Sequence, residues 1–436
     1  MIGKWRSAPW AFGAIACALA LALAGCSSSS KSSSSGNGSG TAAGGSTSSA
    51  TSVKCAGDPI KFGIIATITG DTIVRGTPDI PKGAQAAAAA LTSSCELGRP
   101  VTIVTCDTKD NPNQAAACGR QMVSEKVAAF MGEDANGASW FPIAAAAKIP
   151  EIGGNGLDSV QVASPYWFPL TGNVHDASAY ATIGASAMDK PADVAVLPLD
   201  NPGTEFFVNF FKAQTLGLGG KFAGSFPVPA STVDMSQFAA QIKNSGANAV
   251  FPIIGGDQFN GLVTQMNAQG MPLKDNVVIN LGSVVDCKFL SQVGAAAEGL
   301  WLVDTAWPVA WDTNNAGAKQ FLAELKAAKL PSGSCDVSEF GLQAWSAVHI
   351  MADLLKGSTT MDAATLVDKL NHSGPINRPE LPGTIDFSKN AFPNDPVLSK
   401  LRVFTKQFFV SRVTNGKPQV ETDTPPTIGE KFTPKN

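Results

Sequence analysis

From Ile60 onward, short apolar runs alternate with alanine-rich amphipathic stretches, and the alternation restarts once. Residues 60–68 read as a strand and 82–91 as a helix. A second strand over 101–106 leads to a helix over 114–125, with Asn111 or Asn113 placed to cap it. Short buried strands at 128–131 and 150–152 flank a helix at 139–147. Strands that are apolar at nearly every position are buried on both faces, so this pattern predicts an α/β fold with a parallel sheet covered on both sides. The second unit reads the same way, with strands at 193–199, 223–228, 249–254, 277–281 and 300–303. Its helices are expected at 205–216, 235–244, 259–267 and 289–297. Two long helices follow, 318–329 and 341–355, then strand-like residues at 401–410 and at Val413. Helices that come after the second unit must still cover an open face, so the chain is expected to cross between the units more than once.

The N-terminal stretch has a different logic. Lys4 and Arg6 precede an uncharged run over 11–24 that ends in Leu23-Ala24-Gly25-Cys26. A basic start, an apolar middle and small residues at the exit describe a secretory signal peptide over 1–25. The run is too short for a stable span of ~20 apolar residues. Cysteine directly after Leu-Ala-Gly resembles the bacterial lipobox, which implies cleavage before Cys26 and acylation of its thiol. Residues 27–53 are almost wholly Ser, Gly, Ala and Thr. They read as a flexible tether of roughly 30 Å reach. No later run suits a bilayer. The formal net charge of −3 and the lack of a basic patch argue against nucleic acid as a partner.

Of eight cysteines, Cys17 leaves with the signal and Cys26 is the lipid site. Six remain in an exported body: Cys55, Cys95, Cys106, Cys118, Cys287 and Cys335. An even count there predicts disulfides, and many pairings are possible. Pairing of sequence neighbours is favoured. Cys55 precedes strand one and Cys95 ends helix one; Cys106 ends strand two and Cys118 sits in the next helix; Cys287 and Cys335 are left for each other. No Cys-x-x-Cys or Cys/His cluster suggests a metal.

In open parallel sheets, ligands bind at the carboxyl ends of the strands. That rule selects Thr69, Asp71 and Thr72 after strand one, Asn136 and Ser139 after the third, and Asn155 after the fourth. In the second unit it selects Asp200, Thr204, Asp257 and Gln258. These loops are rich in glycine and short polar groups, which let backbone N–H groups approach a small polar solute. The same composition also serves ordinary turns and caps.

An ordered set of markers carries a family resemblance. It comprises Lys61-Phe62-Gly63-Ile64-Ile65 into Thr69-Gly70, Thr105-Cys106-Asp107-Thr108-Lys109-Asp110, Phe130-Met131-Gly132 with Asn136, Pro142 and Ile149-Pro150, and finally Ala297-Glu298-Gly299. From about Asp58 to Val413 the chain resembles the type I periplasmic-binding-protein fold, in the leucine/isoleucine/valine-binding branch of ABC transporter solute-binding proteins. The resemblance implies two Rossmann-like lobes joined by three hinge crossings, with ligand in the cleft. Lobe one would span 54–174 plus 306–398, and lobe two 175–305 plus 399–436. Hinges would lie near 170–172, 304–307 and 399–402. It also implies that Asn136 and Asn155 contact a ligand's carboxylate and ammonium, that Asp257 and Gln258 face them, and that Phe340 touches an apolar group. The chain departs from the amino-acid pattern at Ser283-Val284, where an acidic residue follows Gly282 in the branch, and lacks an aromatic near Gly203. A neutral amide, a short-chain or an aromatic solute therefore fits as well as leucine.

The implied function is capture of a small solute by lobe closure and delivery to an ABC-transporter membrane permease, by a lipoprotein anchored on the outer face of the cytoplasmic membrane or in the envelope. The alternative is a receptor of the same fold feeding a signalling partner. No cofactor and no enzymatic activity are expected, since no nucleophile elbow, zinc-helix motif or phosphate loop is present. His349 reads as a packed helix residue; His175 and His372 read as solvated. Trp140, Trp307, Trp311 and Trp345 could stack on a ligand, but burial is the default for each.

Overall fold

The computed structural model describes residues 55–69, 78–133, 137–154, 159–172, 174–188, 190–200 and 204–435, all within one compact unit. The segments read above as a signal peptide and a tether, together with Cys26, lie outside these residues, as do Asp71, Thr72, Asn136 and Asn155. Among the described residues no helix is long and apolar enough to cross a membrane.

The first sheet holds β1 (Ile60–Ala66), β2 (Val101–Asp107), β3 (Ala129–Glu133), β4 (Glu151–Ile152) and β5 (Trp167–Phe168). All its pairings are parallel, in the order β2-β1-β3-β4-β5. The helices between them are α1 (Ile80–Ser94), α2 (Pro112–Glu125), α3 (Gly137–Ala146) and α4 (Ser159–Val162). Asn111 caps α2, its side chain accepting from the N–H groups of Asn113 and Gln114. The chain then forms α5 (Val174–Ser186) and enters the second sheet. There β6 (Asp193–Pro198), β7 (Lys221–Ser225), β8 (Ala249–Ile253), β9 (Val277–Leu281) and β10 (Trp301–Asp304) alternate with α6 (Glu205–Gly217), α7 (Ser236–Ser245), α8 (Gly256–Ala268) and α9 (Cys287–Val293). Next come α10 (Ala316–Ala327), α11 (Glu339–Leu355) and α12 (Ala363–Asn371), and a small hairpin of β11 (Ile376–Asn377) and β12 (Thr384–Ile385). Finally β13 (Phe409–Thr414) and β14 (Lys417–Val420) complete the second sheet, in the order β14-β13-β10-β9-β8-β6-β7. That sheet is parallel from β10 to β7; β13 joins β10 antiparallel.

Each sheet is covered on both faces, as near-continuous apolar strands require. On the first, α1, α10 and α11 pack against Phe62 and Ile64, while α2 and α3 pack against Ile65 and Phe130. On the second, α7, α8 and α9 cover one face, and α5, α6 and the C-terminal segment cover the other. The fold is thus two α/β lobes with predominantly parallel sheets. The late helices α10 and α11 return to the first core, so the chain passes between the cores three times: after β5, after β10, and before β13.

Two expectations need correction. Residues 401–408 are not strand; a single 3-10 turn (Leu398–Lys400) precedes them and β13 begins only at Phe409. Their apolar side chains serve two cores in turn, with Val403 in the second, Phe404 in the first and Phe408 in the second again. An apolar run that changes partners gives no pleat. His175 is also not solvated. It is 3% exposed inside α5, with Nδ1 bonded to Asp176 Oδ1 at 3.0 Å and Nε2 donating to the Gln407 carbonyl at 2.8 Å. This ring ties the first pass to the third. His372 is exposed, and His349 packs on Trp345 with Nε2 2.9 Å from Glu324 Oε2.

Three disulfides join Cys55 to Cys95, Cys106 to Cys118, and Cys287 to Cys335, with Cα atoms 5.3, 5.5 and 5.6 Å apart. These distances fall in the usual range.

Candidate functional site

The loops at the carboxyl ends of both sheets are where the chain concentrates short polar groups. After β1, the N–H groups of Ile68 and Thr69 and the Thr69 hydroxyl all donate to Asp107, at the end of β2. Burial alone would raise the Asp107 carboxyl. The hydrogen bonds from Thr69, Ile68 and Lys109 outweigh that and hold it below its ordinary value. Thr69 is exposed at this rim, and Ser139 is half-buried near the start of α3.

Several residues selected from sequence are committed to their own loops. Thr204 donates its hydroxyl to the Leu199 carbonyl at 2.7 Å. Gln258 accepts the Gly255 N–H at 3.4 Å, as a capping residue does, and its amide donates to the Pro229 carbonyl at 2.9 Å. Asp200 is exposed, its N–H held by the Val228 carbonyl, and Asp257 is exposed with Lys288 Nζ 3.9 Å away. Phe340 is 2% exposed and packs in the first core. Trp140 and Trp345 are fully buried core residues.

A cavity of about 40 Å³ is lined from both lobes. Gly282, Ser283 and Asp286 come from the segment after β9, Asp304 from the end of β10, Trp311 from the second pass, and Ser338 and Glu339 from the start of α11. Sequence reasoning did not select Asp304 or Glu339. Glu339 sits one position after the Ser338 cap, whose Oγ accepts from the Phe340 and Gly341 N–H groups. Its carboxylate reaches the other lobe: Oε1 accepts the Ser283 N–H at 2.5 Å, and Oε2 the Thr305 N–H at 2.6 Å. Asp304 Oδ2 accepts the Ser411 hydroxyl at 2.5 Å. A Cβ at residue 282 would overlap Asp304 Oδ1, so any larger residue there would displace that carboxyl.

The electrostatics of this wall are unusual. Asp304 is 2% exposed and Glu339 is 4% exposed. Among the described residues no Lys or Arg pairs with either. Burial pushes Asp304 up to about 7, against the opposing hydrogen bond from Ser411. Burial, and then the Asp304 charge, push Glu339 well above its ordinary value. Carboxylates buried without a counter-cation are costly, and such groups gather at binding sites. The Ser283 hydroxyl, on the same wall, also has no hydrogen-bond partner among the described residues. A larger cavity of about 80 Å³ lies elsewhere, between α5, α6 and Lys431, and shares no residue with the cleft-side loops.

Comparison with known proteins accords with this architecture. No curated protein matches the chain. Solved structures share its fold at low identity. A solute-binding protein of an R. palustris ABC transporter, in complex with 4-hydroxybenzoate, is 21% identical with a TM-score of 0.66 over 87% of this chain and 98% of that one. The branched-chain amino acid transporter substrate-binding protein LivJ from Streptococcus pneumoniae, with isoleucine, is 20% identical with a TM-score of 0.65 over 85% and 100%. A fatty acid ABC transporter substrate-binding protein from Thermomonospora curvata is 15% identical with a TM-score of 0.67 over 83% and 91%. The profile of one family matches residues 59–399, most of the folded body, and by that match the chain belongs to the periplasmic binding proteins.

Proposed function

We propose that the chain is an exported, lipid-anchored solute-binding protein of an ABC importer. It captures a small polar solute by closure of two lobes and presents the closed form to a membrane permease. The lobes are assigned as 54–174 plus 306–398 and 175–305 plus 399–436, with the signal peptide over 1–25 and the lipid on Cys26. The observation that carries this reading is the cavity whose wall is built from both lobes. A solute touching both favours the closed state by its differential affinity for that state. Thr69, Ser139 and Asp200 stand at the carboxyl ends of the sheets, where a larger solute would extend.

The solved relatives hold ligands as different as isoleucine and 4-hydroxybenzoate. For this chain the residues favour a solute that brings hydrogen-bond donors, such as an ammonium, amide or hydroxyl group, to Asp304 and Glu339. An apolar part would lie beside Trp311. A branched-chain amino acid or an amide of similar size meets both demands.

A thermal-shift panel of amino acids, amides, aromatic acids and fatty acids tests this. At a solute concentration a hundredfold above Kd, binding should stabilise the protein by about 2.7 kcal/mol. The shift should saturate, with a matching change in tryptophan emission. A flat response across the whole panel would count against solute capture.

A further inference from the structure

The chain's three passes are not the only ties between the lobes. Cys287 opens α9, and its neighbours Val285 and Phe289 pack in the core of the second sheet. Cys335 precedes α11, and its neighbours Val337 and Phe340 pack in the core of the first. The Cys287–Cys335 disulfide is therefore a covalent bridge from lobe to lobe, across 48 residues of sequence. The other two disulfides both stay with the first sheet.

Its position matters more than its presence. The nearest pass leaves the end of β10, whereas Cys287 follows β9, the neighbouring strand. The bridge thus stands one strand away from the passes about which the lobes would turn. Opening moves points off that line apart, but a disulfide keeps its Cα atoms within about 7 Å. They are already 5.6 Å apart. Beside the bridge, Glu339 carries two further bonds out of the first lobe, to the N–H groups of Ser283 and Thr305.

We propose that the Cys287–Cys335 disulfide holds one end of the interlobe groove shut, so that the oxidised protein opens only by a restricted rotation that leaves the wall of Ser283, Asp304 and Glu339 assembled. The inference rests on the two-lobed capture reading. It deepens that reading by making the polar wall pre-formed before any solute arrives. A pre-formed wall lowers the ordering cost of binding.

Hydrogen exchange on the ligand-free full chain tests it without any ligand. Peptides covering Ser283 and Thr305 should exchange roughly tenfold faster in C287S/C335S than in the parent, because the restraint on opening is gone. C55S/C95S, which removes a bridge within one lobe, should leave those two peptides at the parent rate. If C287S/C335S fails to fold, brief treatment of the folded parent with a dithiol replaces it. Cys335 is exposed and Cys287 partly so, whereas Cys106 and Cys118 are buried. The bridge would give two thiols as the dithiol closes to its own disulfide, and mass spectrometry would identify which bridge opened. A folded variant or reduced parent that keeps full protection at Ser283 and Thr305 would overturn the proposal. Solute binding by that same protein would show that capture itself still stands.

Discussion

Replacing Asp304 with Asn should make the protein more stable than its parent at pH 8 and flatten its stability between pH 5 and pH 8. Asp304 is a buried acid whose folded value is about 7, against an ordinary value of 3.8. Between those two values the folded chain holds a proton that the unfolded chain releases. Stability contributed by this group is therefore full below about pH 4, falls as pH rises to about 7, and stays lost above that. A rise from 3.8 to about 7 corresponds to about 4 kcal/mol at most. An Asn that still accepts from Ser411 but carries no charge should recover about 2–4 kcal/mol at pH 8. Glu339, Asp79 and Glu421 are also raised by burial and act in the same direction, so the slope should shrink and not vanish. Asp107, Asp234, Asp362 and Asp386 are held below their ordinary values, and their contribution is lost only in more acid solution. Denaturant titrations of both proteins across this range decide the matter. A parent that gains stability from pH 5 to pH 8, or a variant with the parent's slope, would refute the account of the wall.

The second large effect concerns how two distant segments make one lobe. Helices α1 and α11 cross where Gly83 faces Gly341, and a Cβ at residue 83 would overlap the Gly341 carbonyl. The same crossing is fixed by Asp79, whose carboxylate accepts the Ser338 N–H at 2.8 Å and the Ser338 hydroxyl at 2.7 Å. Gly83→Val forces the helices apart and carries a β-branched side chain into a backbone contact. It should cost about 3 kcal/mol or more in denaturant unfolding. Gly217→Ala is the contrast. Nothing lies within 4 Å of a Cβ there, at the end of α6. It should be neutral or gain up to about 1 kcal/mol from helix propensity. Equal costs at the two positions would contradict the close approach of α1 and α11.

These contacts also mark what the sequence could and could not reveal. Parallel strands such as β8, apolar throughout, and β1, broken only by Lys61, declare themselves because nearly every position is apolar, and turn chemistry brackets them. The ends of strands and helices favour Cys55–Cys95 and Cys106–Cys118, and Cys287–Cys335 is what remains; the structure forms all three. Helix α5 is different. It is buried on nearly every side, yet its Ser178, Thr182 and Ser186 look like loop residues. Their hydroxyls donate to carbonyls four residues back, so the helix satisfies its own polar groups. The apolar run over 401–408 misleads in the opposite way, since it feeds two cores instead of one face. At the candidate site, the rule that ligands gather at strand ends selects the rim loops but not the wall. Asp304 and Glu339 are far apart in sequence and meet only because α11 returns to the first lobe with its N-terminus against β9 and β10. Gln258 has the composition of a ligand contact, yet its amide is occupied by the Pro229 carbonyl.

The central claim is that the chain takes up a small molecule between its lobes and gives it back unchanged. Native mass spectrometry of the full chain, incubated with the solute that shifts melting most, tests this most directly. The account predicts one solute per chain, and a released molecule of unaltered mass. A complex with none of the panel, or a released molecule of altered mass, would contradict it.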